Sequence, residues 1–197
     1  MNDRPYHHGN LRAALLARAE QTLREEGLEG LSLRDLARQI GVSHGAPRRH
    51  FADRQALLDA LAESGFGRLG TELRAAAENA GQDYEARLRA THTAYVHFAI
   101  RDAALLELMF AGKQREEAGA LKEAAEGAFS VILELIEEGQ ANGVLEGREP
   151  ERIGLLLFAT MQGFAALVTA GIVTPEQVDS LVADAIGRFL HGPRIRA

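Results

Sequence analysis

Apolar residues recur along this chain at steps of three and four, the helical period, and no stretch shows the alternation of a half-buried strand. Leu11, Leu15, Ala19 and Leu23 step by four and predict a helix over 10–26, ended by Gly27. Leu36, Ala37 and Ile40 form the stripe of a shorter helix. Ser32 caps it, with Asp35 at capping-box spacing, and Gly41 stops it. Ser43 then caps another short helix, which carries Pro47 in its first turn and ends at Phe51. Asp53 caps a long helix over 54–80 with the stripe Leu58, Leu61, Gly65, Leu69 and Leu73. Gly65, Gly67 and Gly70 leave two readings of that helix open: close packing or a bend, or a break near 65–70. Further helices are expected at 84–101, 103–112, 115–142, 150–171 and 175–190. Asp102 caps the second of these. Thr174, Pro175 and Gln177 open the last, and Gly192-Pro193 closes it. The fold class is therefore all-α.

The stretch from residue 33 to 58 organises the rest. Two short helices joined by so tight a turn make a helix-turn-helix. Its second helix exposes His44, Gly45, Ala46, Arg48, Arg49 and His50. A polar, arginine-bearing helix too short to stand alone makes sense if its outer face meets phosphates and base edges. The competing reading is an ordinary helical hairpin with solvated arginines. In the DNA reading Arg34, His44, Gly45, Ala46 and Arg49 face base edges. Arg48, His50 and Arg54 face phosphates, with Ser43 at the helix N-terminus.

Charge looks at first like an objection, because the 197-residue chain carries a net charge of −6. Its distribution removes the difficulty. Residues 1–60 hold nine arginines against eight acids, and 34–54 hold five arginines against two. The remaining 137 residues have 13 basic against 20 acidic groups, a net of −7. DNA binding needs a local positive patch rather than a basic protein. The absence of cysteine excludes disulfides and thiolate metal sites. No apolar run of spanning length and no signal-peptide core is apparent, so the expectation is a cytoplasmic protein without a membrane partner. Residues 1–9 form an arm in which Arg4 is placed to track DNA; His7-His8 is a weak metal pair, because adjacent histidines do not share a helix face.

Two C-terminal helices hold more apolar residues than one buried stripe requires. Leu155, Leu156, Leu157, Phe158, Met161, Phe164, Leu167 and Val168 surround the helix at 150–171. Val178, Leu181, Val182, Ile186 and Phe189 follow on the last. A helix apolar on two sides needs two partners, so a two-fold homodimer built on these helices is expected. It would present two recognition helices to a near-palindromic double-stranded operator.

Gly27, Leu36-Ala37, Gly41-Val42-Ser43, Gly45, His50-Phe51, Asp53-Arg54 and Leu57 together resemble the DNA-binding domain of TetR-family transcriptional regulators. The match covers about the first 60 residues; Arg48 stands where that family carries a tyrosine. The resemblance implies a helix-turn-helix domain over 1–55 and a helical ligand-binding and dimerisation domain over 56–197. It also implies a repressor released from its operator by a small-molecule effector. A pocket is expected around His92, Tyr95, Phe98, Met109, Phe110, Met161 and Gln162, apolar with a few polar groups; the competing reading of any single one, such as His92 beside Tyr95, is an ordinary core residue. The second half is similar to a subgroup with a Trp-x-x-x-His-Gly signature, read here as Phe158, Gln162 and Gly163. No nucleophile, metal or phosphate motif appears, so neither enzyme activity nor a cofactor is expected. The alternative function is a helical small-molecule-binding module that no longer reads DNA.

Overall fold

The computed structural model describes residues 11–113, 119–145 and 149–192. Arg4, His7, His8 and Pro193, all singled out above, lie outside the described residues. Within them the chain forms eight α-helices and two 3-10 turns, and no strand. The helices are α1 (Leu11–Glu26), α2 (Leu33–Gln39), α3 (Arg54–Asn79), α4 (Tyr84–Arg101), α5 (Ala103–Lys113), α6 (Gly119–Ala141), α7 (Pro150–Thr169) and α8 (Pro175–His191). The all-helical expectation therefore holds, and the bounds fall close to the expected ones.

Local chemistry explains the ends. Ser32 Oγ accepts from the Asp35 backbone N–H at 3.3 Å. The carboxylate of Asp35 departs from the expected box, turning to Arg38 at 2.8 Å. Gly41, at φ +75°, closes α2 with paired bonds from Val42 N to Ala37 O and from Gly41 N to Arg38 O. Asp53 caps α3 through the Ala56 N–H and Asp83 caps α4 through the Ala86 N–H. Thr174 and Gln177 form the full capping box of α8. Asp102 stands directly before α5, where a cap is expected, and is buried. Its buried carboxylate meets Arg68 at 3.1 Å and Arg101 Nε at 2.8 Å, and both guanidiniums lie over the Phe98 ring.

By packing, the chain divides into two compact units, residues 1–65 with 104–122 and residues 66–103 with 123–197. A division after residue 55 follows the helix-turn-helix motif; the packed unit runs on to Gly65 and includes most of α5. In the first unit Leu15, Ala19 and Leu23 of α1 are buried with Leu36, Ala37 and Phe51. A Cβ at Gly65 would lie 2.7 Å from Met109 Sδ, so the glycine permits that approach. In the second unit α4 packs against both α7 and α8. The helix α3 is unbroken through its three glycines, which decides for close packing at two of them. A Cβ at Gly70 would fall 2.9 Å from the Ala128 Cα, whereas nothing lies near Gly67.

Helix α7 departs from one expectation. It is long and apolar enough to cross a membrane by length and composition, with mean hydropathy 1.5, because Glu151 and Arg152 confine its charge to the first turn. Ile153, Leu157, Met161 and Ala165 nevertheless give it a buried stripe of core type.

The two glycines yield opposite expectations. Gly70→Ala should cost about 1–3 kcal/mol through overpacking against backbone, and Gly67→Ala should gain up to about 1 kcal/mol of helix propensity. Urea unfolding of both variants measures the difference.

Candidate nucleic-acid interface and buried polar core

The turn that follows α2 brings the expected recognition residues to the surface of the first unit. Arg34, Ser43, His44, Gly45, Arg48, Arg49 and His50 are exposed and Ala46 is half-buried. The segment is not the α-helix expected from Ser43 onward. It is a chain of tight turns, with Ala46 N bonded to Ser43 O at 2.9 Å and a 3-10 turn over Pro47–Arg49. Proline explains this. Pro47 has no N–H to donate to Ser43 O, so the Ala46 N–H takes that carbonyl, and Gly45 adds backbone freedom. The position before the turn is Ala46, with no side-chain cap, so Ser43 does not cap it.

The turn is held from below. Pro47 and Phe51 are buried, and His50 N and Phe51 N both bond to Pro47 O at 2.9 Å. The Arg12 guanidinium lies 5.6 Å from the centre of the Phe51 ring. Arg12 is exposed and adds a cation beside the recognition segment; its position on the polar side of α1 carried no sequence signal for that. Among the described residues, the side chains of Arg34, Arg48 and Arg49 form no ion pair and no hydrogen bond. Arg54 differs: its Nε donates to Leu31 O at 2.8 Å and its Nη2 to Leu28 O. Its guanidinium ties the 28–31 loop to the start of α3, a structural use that the phosphate reading did not foresee.

The residues expected around a pocket fall in both units. Met109 and Phe110 belong to the first unit. In the second unit His92, Tyr95, Phe98 and Met161 are buried and Gln162 is half-buried. Phe98 is engaged by the two guanidiniums. Tyr95 joins an aromatic cluster, its ring centre 5.6 Å from Phe158 and 6.1 Å from Phe129, with Phe129 also 6.4 Å from Phe66. Phe66 and Phe129 were not singled out from sequence; each reads there as one more apolar helix position.

Two polar atoms stand out in this core. His92 Nδ1 lies 2.6 Å from Leu88 O, which requires a proton on Nδ1 and leaves Nε2 as a bare acceptor. Neither His92 Nε2 nor the Tyr95 hydroxyl has a protein hydrogen-bond partner. Leaving each buried costs about 1–3 kcal/mol. Burial pushes the His92 pKa down to about 4, against the opposing pull of the Leu88 carbonyl, and raises that of Tyr95. The ring is thus neutral at pH 7. Among the described residues no cluster of three or more His, Asp or Glu offers a metal site.

Residues 15–61 match the family model of bacterial regulatory proteins of the tetR family, and residues 88–189 match that of the Tetracyclin repressor-like C-terminal domain. The structure of a protein with unknown function from Rhodococcus sp. RHA1 is similar with a TM-score of 0.89 and 46% identity, covering 96% of this chain and 98% of that one. The transcriptional regulator FadR from Bacillus subtilis, solved in complex with stearoyl-CoA, shares the fold with a TM-score of 0.73 at 15% identity, over 92% of this chain and 98% of that one. The Tetracycline repressor protein class C of Escherichia coli is 45% identical over 53 residues. That match spans 27% of this chain and about a quarter of the repressor's length, 24%.

A depressed histidine pKa predicts acid sensitivity. Below pH 6.5 the unfolded chain protonates His92 while the folded chain does not until about pH 4. Its contribution is therefore complete above pH 6.5 and is lost as pH falls, by about 2 kcal/mol at pH 5. Urea unfolding at pH 7 and pH 5 should show His92→Phe losing less stability than the parent by about that amount.

Proposed function

The chain belongs to the TetR family of bacterial regulatory proteins, and we propose that it is a homodimeric, DNA-binding transcriptional repressor released from its operator by a small molecule. The observation that carries the reading is the turn at 43–50, whose exposed Arg48 and Arg49 no acid neutralises, in a chain whose residues beyond 60 are acidic overall. Arg34 and Arg49 are placed to read base edges, and guanine accepts an arginine through two hydrogen bonds. Arg48 is assigned to a phosphate, adding a charge where a tyrosine would offer only a hydroxyl.

The second copy is inferred from α7. Leu155 is 66% exposed and Leu156 48%, on the side away from the buried stripe, and Ile172 just beyond the helix is 70% exposed. Ala159, Gly163, Ala166 and Ala170 lie on the exposed side too and allow close approach. A self-complementary face of this kind fits a two-fold pairing. The effector would bind in the second unit and favour an arrangement of the dimer that fits the operator less well; by linkage DNA then weakens effector binding equally. The protein would act in the cytoplasm. A module without DNA affinity is the second reading, favoured by the irregular recognition turn and by Arg48.

Selection of randomised duplex DNA at near-physiological salt tests the function. Enrichment of a near-palindrome that Arg49→Ala abolishes is the expected result; salt-sensitive binding without sequence preference supports the second reading. Arg48→Ala should weaken binding across sequences and reduce the slope of log affinity against log salt by about one unit. An unchanged slope removes Arg48 from the phosphate contacts.

A further inference from the structure

We infer that His92 and Tyr95 anchor the effector, and that the effector is an uncharged, largely apolar or aromatic molecule carrying a hydroxyl group. The inference deepens the proposed function and rests on it, since it names the ligand class for the effector-responsive second unit.

Two partnerless polar atoms three residues apart on α4, in one buried core, are not what stability selects. A phenylalanine at 95 would keep the ring contacts with Phe129 and Phe158 and lose only the orphan hydroxyl. Polar groups retained at such cost call for a partner that arrives later. Their chemistry specifies it. With Nδ1–H committed to Leu88 O, the ring offers Nε2 as an acceptor only. It therefore asks for a donor, O–H or N–H. The Tyr95 hydroxyl can give a proton to an acceptor. An alcohol or phenol supplies both functions from one oxygen, or from two such groups.

A ligand charge of either sign, buried in this core without a counter-ion, is costly. A carboxylate has no proton to give to Nε2, and burial keeps that ring neutral. The nearby guanidiniums are already engaged: Arg68 and Arg101 with Asp102, Arg101 also with Glu72, and Arg87 with Glu138. The aromatic rings of Phe66, Tyr95, Phe129 and Phe158 suit the remaining apolar body.

Fluorescence titration of the full-length protein with 1-naphthol, 1-methoxynaphthalene and 1-naphthoate tests the inference; the chain has no tryptophan to interfere. Naphthol should bind at least tenfold more tightly than its methyl ether, which lacks the donor, and than the anion. In Tyr95→Phe and His92→Phe the preference for naphthol over the ether should fall toward one. Tyr95→Phe should melt at the parental temperature or above it. Equal affinity for naphthol and ether, tighter binding of naphthoate, or no saturable binding of the three overturns the inference. So does a Tyr95→Phe variant that melts more than a few degrees lower, because its hydroxyl then has a partner inside the fold. Operator selection on the same preparation separates the two failures. Hydroxyl-dependent binding without sequence-specific DNA binding removes the regulator and leaves the site. Intact operator binding with no preference for the hydroxyl removes the site and leaves the regulator.

Discussion

The second unit is built on α4, and the burial of that helix is the constraint on which its other features depend. Leu88, Val96 and Ala99 are buried, and the helix packs against both α7 and α8. A helix enclosed to this degree can hold polar groups only where they are bonded or where function retains them. Thr91 meets the ordinary rule by bonding back to Arg87 O at 2.9 Å. His92 satisfies half of its capacity and Tyr95 none of its hydroxyl's. The same enclosure accounts for α7. Having given one face to α4, it keeps an apolar face outward, and only a further apolar surface can cover it.

The first unit solves a different problem. A segment that meets DNA must be polar outside and still be held in place. Pro47 and Phe51 fasten it from within, Gly41 sets the turn that precedes it, and Arg54 secures the loop before α2 to the start of α3. The recognition turn therefore has fixed ends and a short, irregular middle. Its side chains are free to meet phosphate and base edges, while its backbone has few regular hydrogen bonds to lose.

Most of the fold was legible because helix ends are local events. Ser32, Asp53, Asp83 and Thr174 are caps with their partners three residues away, and the stripes between them have one period. The expected DNA face is local in part: Ser43, His44, Gly45, Arg48, Arg49 and His50 are exposed on one turn, whereas Arg34 lies on α2 and Arg54 on α3. What failed was either a competition between local signals or a matter of distant packing. Ser43 reads as a cap, but Pro47 four residues later takes away the bond that an α-helix needs. The buried pairing of Asp102 with Arg68, over thirty residues earlier, had no local signal. No sequence period could have joined Phe66 and Phe129 to Tyr95, because that grouping exists only once three helices have packed.

The outward apolar face on α7 is the proposed seam of a pair of chains that reads two half-sites. Sedimentation equilibrium of the purified protein, alone and with its selected duplex, tests it most directly. A dimer is expected in the absence of DNA, with an even number of chains, two or four, on each duplex. A monomer in solution that loads a single chain per duplex would contradict it.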